Sequence, residues 1–413
     1  MGRRVRWITL TALVSIVGCQ PAPEPMGSIR ATVVDSAGVI LVRIEGDPSE
    51  LPLWPLSAEP AIEISGDAPP FLASVGEVEL LSDGGVLVED NQTDQLRRFD
   101  ASGAEVRILA GRGDGPGEFQ NLTELSVTAG DTAYAYDRRA YRISRFAPDG
   151  AFMQTVDVGR ARAGVGSLVL DGWPLSSERF VLHSMGAGEI DMSGPAHRDQ
   201  REAVLHLVDS EGADVRPPIS FTGGYSIRGS FGDIGGPFAN RPFVSVAAGR
   251  VIYGSGLEYE IIVATGDLEP ERIIRWSGWT RPLTPELVRS VRDTMEPGFA
   301  ELRTARPQMV SELMDGMFSP ELVPDTLPAL GSAMLDDSGR IWVAAYAPSP
   351  ETWNEAERWH LLDRDGEPLA RVRLPAPARL VAARGNQIAL VVRDDLDVEH
   401  VRVFDLVPAG EAR

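Results

Sequence analysis

A fixed spacing constrains this chain more than any other feature. Asp90 and Asp137, Phe99 and Phe146, and Gly103 and Gly150 are each separated by 47 residues. Around each pair runs one pattern: a Gly turn, an alternating strand, a polar turn, then a second strand ending in an Asp/Ser-Gly turn. The clearest copies are Asp83–Asp90 with Leu96–Gly103, and Gly130–Asp137 with Ile143–Gly150. Weaker copies begin at Glu178, Gly249, Asp337 and Gly385, which makes six. Without the stretch 285–328, residues 77–405 divide into six units of about 47 residues, close to the ~40–50 residues that four short strands occupy in a propeller blade. A β-sandwich also has many short strands but holds no such register. The fold class is therefore all-β, a six-bladed β-propeller over 29–407 with a short helical insertion. Gly 42 and Pro 31 together, about 18% of the chain, agree with a turn-rich fold.

Two segments lie outside the repeats. Residues 29–64 carry strand-like runs at Ile29–Val34, Val39–Ile44 and Ala61–Ile64, expected to complete the last blade and cover open edges. The second segment, 285–328, starts with Thr284 as an N-cap and Pro285 at the first helical position. Leu287, Val291 and Met295 follow at helical spacing, and a second run holds Met309, Leu313, Met314, Met317 and Phe318. Met-rich faces occur at adaptable binding surfaces, but a lid packed onto the propeller is the preferred reading.

The N-terminus carries an address. Arg3, Arg4 and Arg6 precede an 11-residue, largely apolar stretch, Trp7–Val17, too short for the roughly 17–25 residues of a membrane span. Residues 1–18 read as a signal peptide. The stretch ends Ile16-Val17-Gly18-Cys19, which resembles the lipobox of bacterial lipoproteins. Cys19, the single cysteine, is the implied lipid attachment residue, so no disulfide can form within the chain. Residues 19–28 form a Pro-rich, lipid-anchored tether, and two or three acyl chains would anchor it stably. Gln20, in place of the aspartate associated with inner-membrane retention, points to the outer membrane, facing the periplasm.

The run Gly111-Arg112-Gly113-Asp114-Gly115-Pro116-Gly117-Glu118-Phe119 resembles the glycine-rich inter-blade turn of NHL-type six-bladed propellers, and is most similar to a group of bacterial propeller lipoproteins. Val34–Val39 with Trp54, and Leu335–Val343, fit the same group, so the resemblance extends from residue 29 to about 405. Segments 186–200 and 222–241, Gly-rich and unlike the pattern, leave the blade boundaries there open. The resemblance implies a fold and a compartment, and no reaction.

Composition narrows the chemistry. All 39 basic residues are arginine, which excludes Schiff-base catalysis and a lysine-bearing phosphate loop. Sixty acidic residues and a formal charge of −21 argue against nucleic acid as a partner. The 111–119 run lacks the G-x-G-x-x-G spacing and following helix of a dinucleotide site, so its glycines read as conformational. His183, His197, His206, His360 and His400 show no metal-ligand spacing. His206 and His360 occupy one repeat position, filled elsewhere by Arg97, Ser144 and Arg402, which reads as a polar strand face. Asp90, Asn91 and Asp94 could contribute to a calcium cage in the central channel or serve as turn formers. No G-x-S-x-G elbow is present, and no Ser-His-Asp constellation follows from residue order. The expected function is a lipid-anchored envelope module that binds a protein or glycan partner, without catalysis and without a cofactor. The alternative is a calcium-dependent lactonase or lyase. A carbohydrate or peptidoglycan sensor is a third reading.

Overall fold

The structure is a computed structural model that describes residues 29–67, 71–159, 168–186, 194–279, 281–348, 358–375 and 378–408. The signal peptide, the tether and Cys19 lie outside the described residues.

Asx-turn chemistry builds the repeat. Asp100 Oδ1 accepts from the backbone N–H of Ser102 at 2.8 Å and of Ala104 at 3.2 Å, which folds the chain back on itself. Asp209, Asp363 and Asp394 accept in the same way from residues two and four further on. The glycine closing such a turn needs a left-handed backbone: φ is +80° at Gly103, and it is also +80° at Gly150, whose turn has Ala147 in place of the aspartate. Each turn reverses the chain, so successive strands pair antiparallel and a meander grows outward.

Among the described residues these meanders form six sheets of four or more strands. Blade 1 runs Val75–Leu80, Val86–Asp90, Gln95–Phe99 and Glu105–Ala110, and blade 2 starts at Leu122 and ends at Asp157. Blades 3 to 6 begin with inner strands Leu168–Pro174, Phe243–Ala247, Leu330–Leu335 and Ala378–Arg384. Blade 6 supplies only three strands from its own stretch. Its fourth is β3 (Ile62–Ile64), antiparallel to Glu399–Asp405, with Ile64 opposite Val401 and Ile62 opposite Val403. The N-terminal segment thus closes the ring, as expected for Ala61–Ile64.

The rest of 29–64 does something else. β1 (Arg30–Ser36) and β2 (Val39–Glu45) form a hairpin that adds to the outer edge of blade 4, β2 running parallel to Pro270–Trp276. The chain then crosses to blade 5, where Trp54 N donates to Arg371 O and Arg371 N donates to Pro52 O. It reaches blade 6 where Ser57 N donates to Asp405 O. Residues 30–64 therefore strap the outer rims of blades 4, 5 and 6 in turn. The expectation that all three runs complete the last blade is corrected: an edge strand of any blade offers the same unpaired groups, and alternation alone does not choose among them.

Blade 3 also departs from sequence expectation. Much of 197–235 is strand, His197–Asp209, Ile219–Gly229 and Gly232–Gly235, which extend the sheet as a long hairpin. Gly223 is required where the hairpin strands meet, since a Cβ there would lie 2.9 Å from Arg201 O. The extension carries Phe231, Ile234 and Phe238 to the helical insert. Helices α1 (Pro285–Met295), α2 (Ala300–Ala305) and α3 (Pro307–Met317) follow Thr284, whose hydroxyl accepts from Leu287 N. Val310, Leu313, Met314 and Met317 are buried with Phe238, Phe318 and Tyr346 in one apolar cluster. Met314 and Met317 of α3 thus pack inward, as the lid reading expected, while Met309 stays outside the cluster.

The remaining core lies between blades. Ile62, Ile64, Val401 and Val403 of blade 6 pack with Val86, Val88 and Phe99 of blade 1. Leu96, Phe119, Leu125 and Phe146 fill the next interface. The Gly-rich run 111–119 wraps its own carboxylate: Gly115 N donates to Glu118 Oε2 at 2.7 Å, and Phe119 N donates to Gly111 O. Its backbone is committed to that local fold, as the conformational reading of its glycines holds.

One turn is anchored more deeply than the others. Asp336 is 1% exposed and accepts from Ser338 N, Arg340 N, Arg340 Nε and the Trp342 indole N–H. Asp336→Ala is expected to destabilise the fold by about 3 kcal/mol, because the buried indole of Trp342 and the half-buried guanidinium of Arg340 lose this acceptor. Asp363→Ala, on an exposed copy of the same turn, should lose only about 1 kcal/mol. Urea midpoints of the two variants provide the comparison, and equal shifts would contradict it.

Candidate functional site in the central channel

The inner strands alternate, so every second side chain points to the axis of the ring. Three of these positions carry the 47-residue register in acidic form: Glu77, Glu124 and Asp171. Each lies at an irregularity of its inner strand, where the register shifts between Val75 and Val78, Leu122 and Glu124, and Val169 and Asp171. Glu79 follows one pleat along from Glu77. Inner strands of all six blades line a cavity of about 570 Å³, whose walls include Glu77, Glu79, Glu124, Trp173, Met334 and Arg384.

The adjoining blade carries arginines beside these acids. From blade 6, Arg379 Nη2 donates to Val75 O at 2.7 Å and Arg384 Nη1 donates to Leu80 O at 3.0 Å. Both arginines thereby latch blade 6 to blade 1 beside the carboxylates. Arg384 also pairs with Asp131 at 3.3 Å.

Charging these acids is costly. Burial raises Glu77 to about 7, with Asp171 adding to the shift and Arg379 opposing it. Burial, reinforced by Glu77, raises Glu79 to about 8, and Arg384 opposes. Glu124 is held well above the usual carboxylate range, first by burial and then by Glu77, Asp171 and Glu79, while the Trp173 indole N–H stabilises its anion. Behind them, Glu89 is raised to about 8 by burial although its Oε2 accepts from Glu77 N at 3.1 Å. The channel acids keep partial access to channel water, which tempers these penalties. At neutral pH Glu79 is therefore largely protonated and Glu77 stands near its midpoint, and a cation entering the cavity would favour their ionisation.

The residues singled out from sequence do not meet here. Asp90 is fully buried at the turn after the second strand of blade 1, where Oδ1 accepts from Gln92 N. Asp94 sits at φ +49° and pairs with Arg112 at 2.9 Å, and Asn91 is exposed in the same turn. They are turn formers. The histidines are dispersed: His183 lies 3.6 Å from Asp171, His400 lies 3.4 Å from Asp394, and His197 is on the blade 3 extension. The position shared by His206 and His360 is not a solvated strand face. His206 and Ser144 are 0% exposed and His360 is 7% exposed, because the third strand is covered by the adjacent blade or rim. Among the described residues no group of three or more His, Cys, Asp or Glu is placed to hold a metal ion.

One arrangement was invisible in residue order. Ser184 Oγ lies 3.1 Å from His206 Nε2, and His206 Nδ1 lies 3.2 Å from Asp214 Oδ1. The connectivity is that of a hydroxyl–imidazole–carboxylate relay. Ser184 and His206 are both 0% exposed, so no substrate carbonyl can approach the hydroxyl, and the relay ties two strands of blade 3 together.

No protein-family profile matches the chain, and no curated protein matches it. Solved structures do resemble it. A DUF4221 family member from Bacteroides vulgatus aligns over 86% of this chain and 98% of its own, at 10% identity and a TM-score of 0.46. An exported protein from Bacteroides fragilis aligns over 89% and 99%, at 12% identity and 0.43. The calcium-binding protein regucalcin from Agrobacterium tumefaciens aligns over 86% and 96%, at 9% identity and 0.39. This chain is a β-propeller. That rests on its own sheet order and ring closure, and likeness at such identities carries no function.

Proposed function

We propose that the chain is a lipid-anchored β-propeller of a bacterial cell envelope, of the NHL-like lipoprotein kind, that works as a binding module without catalysis. Its central channel takes a small organic cation. The observation that carries this reading is the channel itself: a cavity of about 570 Å³ whose wall gathers acids from neighbouring inner strands that ionise only with difficulty when nothing balances them. A protonated amine or guanidinium supplies the missing charge and fits a cavity of that size. Cys19 attaches the chain to the outer membrane facing the periplasm, and the ring presents its rims to a protein or glycan partner. Among the described residues no helix is long and apolar enough to cross a membrane; acyl chains on Cys19 are the attachment proposed.

A calcium-assisted lactonase or lyase would use the same channel, but the donor set does not fit it. Glu77, Glu79 and Glu124 share a wall without converging on one point, and calcium requires six to eight oxygens around a centre. Chelator is therefore expected to leave the thermal midpoint of the full chain unchanged at pH 7. Stoichiometric calcium in elemental analysis, with a midpoint that falls on its removal, would overturn the binding-module reading in favour of the enzyme. The address is tested by labelled palmitate: incorporation is expected in the wild type and absent in Cys19→Ser, and equal labelling of both would contradict it.

A further inference from the structure

The channel cavity is divided between two kinds of wall. Among the described residues that line it, blade 1 supplies Glu77 and Glu79, and blade 2 supplies Glu124. The inner strands of blades 4 and 5, Phe243–Ala247 and Leu330–Leu335, contain no ionisable residue. Each blade packs its core against its neighbours in sequence, and blade 6 packs against blade 1. In such a ring of six, blade 4 lies across the axis from blade 1, and blade 5 across from blade 2. The acids therefore face an uncharged wall across one cavity of about 570 Å³.

That wall is largely apolar. Val244, Val246 and Met334 line the cavity, each packed in part against the core between blades and in part left exposed. Ser245 Oγ accepts from Leu335 N at 3.0 Å, so its hydroxyl is committed to joining blades 4 and 5. Ser332 adds an exposed hydroxyl and no charge. Asp337, the lining acid that follows the blade 5 strand, is engaged: it accepts from Gly385 N at 2.9 Å and lies 3.8 Å from Arg384 Nε. Trp173 of blade 3 stands at the seam. Its indole N–H stabilises the Glu124 anion, and its ring belongs to the apolar cluster that Val244 and Val246 pack against. Apolar surface wetted by channel water is unfavourable, and a ligand that covers it gains what the empty channel loses.

We infer, resting on the cation reading proposed above, that the channel's ligand is an amphipathic monoamine: one ammonium group on an apolar body, with the ammonium against Glu77, Glu79 and Glu124 and the body against Val244, Val246 and Met334. A second charge at the far end of such a body would give up its water beside valine and methionine side chains, at a cost that one charge avoids. Blades 4 and 5 thereby set the choice among cations, and blades 1 and 2 set the preference for a cation at all.

The test is calorimetric titration of the full chain at pH 7 with hexylamine, butylamine, 1,6-diaminohexane and 1-hexanol. Hexylamine is expected to bind at one site per chain. Butylamine should bind about tenfold more weakly, since each buried methylene is worth roughly a three- to fourfold change in affinity. The diamine has the same length and a second charge, and should bind about fivefold more weakly or worse. The alcohol keeps the body without the charge and should not bind detectably. Val246→Thr/Met334→Gln should erase the preference for hexylamine over the diamine while leaving the diamine's own affinity within about twofold. Should that variant fail to fold, the comparison of butylamine, hexylamine and diamine on the wild type decides alone. A diamine that binds as tightly as hexylamine, or no gain from butylamine to hexylamine, would overturn this inference and leave the cation reading standing. Binding by none of the amines, or equal binding of hexylamine and 1-hexanol, would overturn the cation reading itself.

Discussion

Glu79→Gln is expected to stabilise the protein at pH 8 and to leave it nearly unchanged near pH 4. The folded-state value of Glu79 is raised from 4.5 to about 8. Below 4.5 the folded and unfolded chains both hold the proton, and the position is neutral in either. Between 4.5 and 8 the folded state retains a proton that the unfolded state has released, so stability falls as pH rises. Above 8 the full cost of a buried charge is present. Glutamine carries no such cost, and the difference between variant and wild type should open across that window. Each pKa unit corresponds to about 1.4 kcal/mol, and partial contact with channel water reduces the effect, giving a gain of roughly 1–3 kcal/mol at pH 8. Removing the Glu79 charge also relieves Glu77, whose value lies near 7 for related reasons. Urea denaturation of both proteins at several pH values measures this. A variant that is less stable than wild type at pH 8 would show that Glu79 is stabilised in its charged form.

The second large effect concerns ring closure. Ile62 and Ile64 are 5% and 2% exposed and join the core between blades 6 and 1. Replacing either with alanine should cost about 2–4 kcal/mol, from lost burial and the cavity left behind. The pair together should cost more than the sum, because without β3 the strand Glu399–Asp405 becomes an open edge and the first and last blades separate. Val33→Ala on β1 is the control: its side chain is 50% exposed on the far edge of blade 4, and about 0.5 kcal/mol or less is expected. Midpoints of denaturation for the double variant and the control decide the matter. Similar shifts for both would mean that the ring is held shut by something other than β3.

Much of this architecture was legible before the structure because the turns carry it. An aspartate that accepts backbone N–H groups two and four residues on, followed by a glycine at positive φ, is a local device at Asp100–Gly103, and Gly150 repeats the glycine at +80° one blade later although Ala147 stands in the aspartate's place. The strap was legible only in part. Ile62–Ile64 closes blade 6 as its composition and position imply, but β2 finds Pro270–Trp276, some 230 residues away, through a parallel pairing that no alternation pattern specifies. Segment 222–241 looked irregular because Gly223 and Gly224 sit inside a strand, where close approach to Arg201 O excludes a side chain at Gly223. The channel acids were within reach and were missed. Glu77, Glu124 and Asp171 keep the same 47-residue interval as the turns, yet in Val-Gly-Glu-Val-Glu-Leu the acidic residues look like an ordinary solvent-facing alternation. Only closure of the ring converts that polar face into an axis.

The central claim is that the channel binds a cation by drawing its acids into their charged form. Calorimetric titration of the full chain with agmatine at pH 6.5, in two buffers of different ionisation enthalpy, tests it most directly. The account predicts saturable binding accompanied by proton release, tighter as pH rises toward 8 and weakened about tenfold or more in Glu124→Gln. Binding without proton release, binding unaffected by Glu124→Gln, or no binding at all would contradict it.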